Sequence, residues 1–238
     1  MRAEHKFSID NETPEKKKKF IRELFDSIVP TYDFLNRFLS LGIDTRWRKK
    51  LVRLAGDLSG KNVLDLCCGT GDLTKLLRKK KARVVSLDFS IPMLKKGHVK
   101  KWLSNLIVAA DASMLPFKDG FFHYATIAFG IRNIPDLDNF MMETNRVLTP
   151  GGKLYILELT RPKNKMVLFF YNLYLKIILP FVGGLISRKK NAYRYLSDTI
   201  STFVDVDELS GLLKKNGYTE VRIYRLTFGV ATIFECLK

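Results

Sequence analysis

Cysteine and histidine are scarce in this chain: its 238 residues include three of each. Cys67 and Cys68 adjoin and Cys236 lies far along the chain, which excludes a secreted disulfide framework and the ligand spacing of a zinc site. That usage fits a reducing cytoplasm. His5, His98 and His123 are scattered, so no metal is expected. The N-terminus is charged from its first residues and lacks the apolar stretch of a secretory signal. Acidic residues are in deficit, with 24 Asp and Glu against 41 Lys and Arg and a formal net charge of +17. The resulting positive potential favours nucleic acid, anionic lipid or other acidic partners without choosing among them. The basic residues fall in separate patches, Lys16 to Lys19, Arg78 to Arg83, Lys95 to Lys101 and Arg188 to Lys190. Separated patches read as solvated helix faces rather than one binding stripe, so no nucleic-acid partner is expected.

What is present suits a single α/β domain over residues 1–238. With 46% hydrophobic and 12% aromatic residues the composition is globular, and the length is too short for two such domains. Phe20, Leu24, Ile28, Leu35, Phe38 and Leu39 recur at helical spacing, making residues 1–56 a helical N-terminal section. Strand-length apolar runs follow at Val63 to Leu66, Arg83 to Leu87, Leu106 to Ala109, Tyr124 to Phe129 and Lys153 to Leu159, separated by helix-length segments. This alternation implies a Rossmann-like, mostly parallel sheet with helices on both faces. After a helix at Val206 to Asn216, the runs Val221 to Phe228 and Val230 to Leu237 read as an antiparallel hairpin around Gly229, giving seven strands. Between Met166 and Ser187 the only formal charge is Lys176. The run is long enough to span a bilayer, but Asn172, Lys176, Pro180, Gly183 and Gly184 interrupt it. Residues 165–200 are therefore expected to form an apolar helical cap, packed on the core or lying at a membrane interface.

The stretch VLDLCCGTGD, Val63 to Asp72, is a buried-strand pattern passing into a glycine-rich turn, where backbone approaches a ligand closely. A phosphate-binding loop would end in Gly-Lys-Ser/Thr, whereas Asp72 and Leu73 follow Gly71. A dinucleotide fingerprint would need a third glycine where Thr74 stands. Asp72 at a helix N-terminus opposes a pyrophosphate. A phosphate-free nucleoside cofactor fits better, and S-adenosylmethionine meets that requirement. Asp65, Gly69 and Gly71, as D-x-x-x-G-x-G, resemble the first motif of class I methyltransferases. Asp88 ends the next strand, placed to accept from both ribose hydroxyls. Asp111 ends the third, followed by Ala112. In similar methyltransferases that pair lies beside the adenine.

Four longer blocks extend the resemblance along nearly the whole chain: Phe25 to Lys50, Leu115 to Asp136, Arg146 to Leu159 and Tyr193 to Ile200. They are similar to the ubiquinone/menaquinone biosynthesis C-methyltransferases, the UbiE family. The resemblance implies a class I methyltransferase that methylates a ring carbon of a demethylated quinol bearing a polyprenyl tail. By position, Thr70, Asp88, Asp111 and Ala112 match the family's cofactor contacts, and Ala128 stands where some members have serine. His123 departs from the family's usual aspartate and is expected to be a strand-start residue. Ile91 and Pro92 replace a more usual polar pair and affect a helix start.

An aromatic carbon is a weak nucleophile until a neighbouring hydroxyl is deprotonated. Arg132, in FGIRN after the fourth strand, is the expected catalytic cation for the developing phenolate, with Asn133 orienting it or the substrate. The competing expectation for Arg132 is a surface pair with Asp136. Tyr32, Asp33 and Asn36 are expected to close over the cofactor or touch the quinol head. Phe169, Phe170, Tyr171 and Tyr174, with the basic rim Arg188 to Lys190, would draw the tail from an anionic membrane. The chain is thus expected at the cytoplasmic face of a membrane, with a homodimer left open. The alternatives are an RNA methyltransferase, whose usual Asn-Pro-Pro-Tyr-like motif is missing at FGIRN, and a non-enzymatic nucleic-acid binder, which leaves the three acids unexplained.

Overall fold

Seven strands form one sheet in a computed structural model that describes residues 14–103, 106–182, 195, 197–200 and 202–238. They are β1 (Asn62–Leu66), β2 (Arg83–Asp88), β3 (Ile107–Ala109), β4 (Phe122–Ala128), β5 (Leu148–Leu159), β6 (Glu220–Leu226) and β7 (Ala231–Leu237), in the order β3-β2-β1-β4-β5-β7-β6. The first five pair in parallel, and β7 runs antiparallel between β5 and β6. This is the expected architecture, with two local differences. A register shift between Phe122 and Tyr124 brings Leu148 opposite Phe122, so β4 and β5 both start earlier than the apolar runs suggest. The hairpin junction is also longer than Gly229 alone. Thr227 and Phe228 have φ of 47° and 56°, in the left-handed region that ends a strand.

Side chains alternate across the sheet, and both faces are buried. Leu64, Leu154, Ile156 and Phe234 join one core with Phe140 and Met141 of α6 (Leu137–Val147) and Leu209 and Leu213 of α8 (Val206–Lys215). Their neighbours Val63, Tyr155, Leu157 and Ile233 face the other way, against Trp47 and Leu51 of α3 (Ile43–Leu54) and Leu73 and Leu77 of α4 (Asp72–Lys79). A one-residue slip in any strand would exchange these sets, so the two-sided burial fixes the register.

The N-terminal helices α1 (Pro14–Ile28) and α2 (Tyr32–Leu39) form a smaller apolar cluster through Ile28 and Leu35, with Met93 of α5 (Ile91–Val99) and Leu179. As expected, α5 begins at Ile91 and Pro92, and its N-cap Ser90 accepts from Met93 N. His123 lies in β4 and its Nδ1 accepts from Asn62 N, a structural use at a strand start. The helix α7 (Lys165–Leu173) is capped by Asn164 and continues through a π-helical turn at Tyr174–Ile178 to residue 182. By length and composition Lys165–Val182 could cross a membrane. One face is packed, however, through Tyr171, Leu175 and Leu179 at four-residue spacing. The basic rim Arg188 to Lys190 lies outside the described residues.

Gly71 shows how tightly the turn after β1 is packed. Its φ is 91°, and an added Cβ would lie 2.7 Å from Leu103 Cδ2. Gly71→Ala is therefore expected to destabilise the fold by about 1–3 kcal/mol through backbone strain and overpacking. Urea unfolding checks this: the midpoint should fall while the slope is unchanged.

Candidate active site

The site is built at the C-terminal ends of β1, β2, β3 and β4, where the parallel strands open into loops. Asp88 is 6% exposed at the end of β2. Its Oδ2 accepts from Gly69 N and its Oδ1 from Ser90 N, both at 2.8 Å. One carboxylate thereby ties together the loops that follow β1 and β2. Burial pushes its pKa up to about 6, against the pull of the two amides. Ser90 extends the connection by donating to Asp26 of α1 at 2.5 Å.

The other expected acids occupy different surroundings. Asp65 lies within β1 rather than at its end. It accepts from Thr74 at 2.5 Å and Thr126 at 2.9 Å, and is 1% exposed. Burial again pushes its pKa up to about 6, and its two threonine partners tie β1 to α4 and β4. Asp111 accepts from Ser113 N and pairs with Lys18 of α1 at 2.8 Å. Burial acts to raise its pKa, yet Lys18 and Ser113 outweigh that and hold the carboxyl below its usual value. Asp72 opens α4 as expected, and Arg37 of α2 meets it at 3.2 Å.

Two cavities meet over this edge. The first, about 90 Å³, is lined by Gly69, Asp88, Asp111, Ala112 and Ala128 from the strand ends and by Lys18 and Phe25 from α1. The second, about 250 Å³, is mostly apolar and lies under α7. Its walls include Asn36, Trp47, Arg132, Tyr171 and Leu175. Phe25, Tyr32, Phe129 and Asn133 line both, so the two spaces share a wall. A small polar recess beneath the loop, with Tyr32, Arg48, Asp65, Gly69, Thr70 and Asp72 around it, lies beside them.

The wall of the first cavity is conformationally unusual. Cys67 and Phe129, at the ends of β1 and β4, have φ of 50° and 63°, a strain that clusters at functional sites. Gly130 permits the approach, since a Cβ there would lie 2.6 Å from Cys67 Cβ.

Arg132 faces the apolar cavity, and its partner is Glu158 rather than the Asp136 considered above. The two form a buried ion pair, with side-chain exposures of 6% and 0%. Desolvation raises the Glu158 pKa and Arg132 opposes it. Among the described residues, Arg132 Nε, Glu158 Oε2 and the Tyr171 hydroxyl are buried without a hydrogen-bond partner, an arrangement suited to a polar ligand group. Asn133 accepts from the Tyr195 hydroxyl at 3.4 Å. Burial raises the pKa of the Tyr32 phenol, which keeps it a neutral donor.

Three expected contacts are placed elsewhere. Among the described residues Asp33 lines none of these spaces. It accepts from Thr70 and pairs with Lys96 and Lys100 at 3.0 Å each, so its carboxylate is taken up by the protein's own groups. Gly71 is absent from the cavity walls, and its lack of a side chain serves packing on Leu103. Phe169 is 65% exposed on the outer face of α7, whereas Tyr171 faces inward. Residues not foreseen are Lys18, Arg48, Glu158 and Tyr195. Glu158 carried a signal, a carboxylate inside the apolar strand LYILEL, and so did Arg48, four residues after Asp44 on α3. Lys18 carried none and Tyr195 only its place in the block Tyr193 to Ile200, since their partners are remote in sequence.

The sheet order, with one antiparallel strand inserted beside β5, and the acid-bearing edge define the class I methyltransferase fold. A SAM-dependent methyltransferase from Thermotoga maritima shares it with a TM-score of 0.67 at 18% identity, over 91% of this chain and 99% of that one. One from Aquifex aeolicus gives 0.59 at 16% identity, over 95% of this chain and 99% of that one. Residues 12–238 match the ubiE/COQ5 methyltransferase family, and the chain belongs to that family. It is 43% identical to the demethylmenaquinone methyltransferase of Thermus thermophilus, over 88% of this chain and 97% of that protein. The Thermotoga maritima demethylmenaquinone methyltransferase is 42% identical, over 92% and 96%. The ubiquinone/menaquinone biosynthesis C-methyltransferase UbiE of Teredinibacter turnerae is 36% identical, over 98% and 96%.

The raised pKa of Asp88 gives a stability prediction with a definite sign. A carboxyl at about 6 when folded and about 3.9 when unfolded contributes most below pH 4 and loses that contribution as pH rises through 6. Asp88→Asn does not titrate. Relative to wild type it should gain up to roughly 3 kcal/mol between pH 4 and 7, whatever its offset at pH 4. Urea unfolding of both proteins across that range reads the difference, and parallel curves would refute it.

Proposed function

We propose that this chain transfers the methyl group of S-adenosylmethionine to a ring carbon of a demethylated polyprenyl quinol, of the demethylmenaquinol or related benzoquinol type. The observation that carries the reading is the pair of cavities sharing a wall, one edged by acids and the other apolar. The donor set fits the cofactor: Asp88 retains lone pairs beyond its two amide bonds, Gly69 exposes loop backbone to the cavity, and Ala112 and Ala128 leave room for flat rings. When bound, S-adenosylmethionine supplies an electrophilic methyl carried on a sulfonium.

The chain's own part is to orient and to stabilise charge. Asp88 accepts from the ribose hydroxyls. Ionic Asp111 serves the adenine edge once Lys18 yields it. Arg132, fixed by Glu158, presents its guanidinium to the phenolate oxygen that develops as the ring carbon becomes nucleophilic. Asn133 and the neutral Tyr32 and Tyr171 hydroxyls supply hydrogen bonds, while Phe129 and Trp47 exclude water. Much of the acceleration comes from holding the two reactants in line across the shared wall. The apolar second cavity does not favour an RNA acceptor, and the family membership does not favour a non-enzymatic binder. Incubation with labelled methyl donor and either demethylmenaquinol or RNA tests the assignment. Label is expected in the quinol, and label in RNA alone would reject it.

Attachment to the cytoplasmic surface of an anionic membrane belongs to the same proposal. Its support is the outer face of α7 and its extension, where Phe169, Phe170, Ile177 and Phe181 are 58–70% exposed. On α2, Phe34 and Phe38 stack at 5.7 Å and are half-exposed beside Leu41. Tyr174, donating to Leu39 O at 2.8 Å, joins the two apolar faces beside the second cavity. Such a surface with a net charge of +17 suits anionic lipid. The protein should float with anionic vesicles, and Phe169→Glu/Phe181→Glu should not. Wild-type protein that stays in solution at both low and high salt would remove the membrane from the proposal.

A further inference from the structure

The amino-acid end of the proposed methyl donor carries an ammonium and a carboxylate, and the acids at this edge suit only the ammonium. In the polar recess beneath the glycine loop, Asp65 and Asp72 would repel a carboxylate. The nearby cations are already engaged. Lys96 and Lys100 pair with Asp33, Lys100 also donating to Thr70 Oγ1 at 3.2 Å, and neither lines the recess, while Arg37 spans Asp72 and Asp44 at 3.2 and 3.3 Å. Among the described residues, Arg48 is the cation that lines the recess.

Arg48 is also prepared for an anion. Its Nη1 donates to Asp44, and both side chains are more than nine-tenths buried. Its guanidinium lies 4.8 Å from the centre of the Phe129 ring, which holds the plane in place. Among the described hydrogen bonds Nη1 is its one engaged nitrogen, so the rest of the planar fork remains for a second carboxylate. Arg48 lies close enough to Asp65 and Tyr32 for its charge to lower both their pKa values against the dominant effect of burial.

We propose that Arg48 is the carboxylate receptor of the donor site, a role that rests on the methyl-donor reading given above. It gives the amino-acid end a direction: the carboxylate toward α3, the ammonium toward the acids of the loop. The alternating series Asp72, Arg37, Asp44, Arg48 then joins the loop to the N-terminal helices.

The test compares two ligands that differ at that end. S-adenosylhomocysteine has the carboxylate, and 5′-methylthioadenosine keeps the adenosine and thioether but lacks the whole amino-acid group. Titration calorimetry should show Arg48→Met binding S-adenosylhomocysteine roughly ten- to hundredfold more weakly than wild type. Its affinity for methylthioadenosine should stay the same, which also reports an intact fold. Should Arg48→Met fail to fold, Asp44→Asn/Arg48→Met removes both charges together and should show the same contrast. Equal losses for both ligands, or no loss for either, overturn the inference alone. Wild-type protein that binds neither ligand overturns the donor reading and the inference with it.

Discussion

Asp88 is a carboxylate taken out of water at the end of a parallel strand, where only hydrogen bonds offset the cost of its charge. Gly69 N and Ser90 N supply them, and each belongs to a different loop. Satisfying one buried group therefore fixes the glycine turn after β1 and the helix start after β2 relative to each other. Ser90 passes the constraint on, capping α5 with its hydroxyl and reaching Asp26 of α1. The first cavity is the space these segments enclose, and its acidic edge follows from what organises it.

The basic excess of the chain acquires a local meaning in the same region. Lys18, Arg37, Lys96 and Lys100 each meet an acid where the N-terminal helices cross the sheet edge. Part of the positive charge is thus used to dock α1 and α2 over an acidic rim, a task that needs no nucleic acid. Because Lys18 holds Asp111, covering the edge and freeing it for a ligand compete. The apolar cavity follows a different logic. Among the polar groups at its wall, Arg132, held by Glu158 behind it, and the hydroxyls of Tyr32 and Tyr171 are desolvated, so each is worth more to a ligand than it would be in water.

The fold was legible because it depends on local pattern. Five apolar runs with helix-length spacers, an acid and two glycines after the first, and a β-rich tail dictate a parallel sheet, an open loop and a hairpin. The strand limits that were missed, at Phe122 and Leu148, depend on a register shift between two chain segments, which no window of sequence contains. The left-handed residues Thr227 and Phe228 carry no sequence mark for such a turn.

Within the site, VLDLCCGTGD by itself determined where the nucleoside edge lies and excluded phosphate, since those conclusions need only residue type, order and charge. Which acid lines a cavity and which is taken up by neighbouring side chains was decided by tertiary structure. Asp88 opens to the first cavity, Asp65 holds Thr74 and Thr126 while lining the recess beneath the loop, and Asp33 is taken up by Thr70 and two lysines. So was the pairing of Arg132 with Glu158 and the setting of Arg48 beside the glycine loop. Electrostatic roles are set by distance and desolvation, and both are properties of the packed molecule rather than of any residue in it.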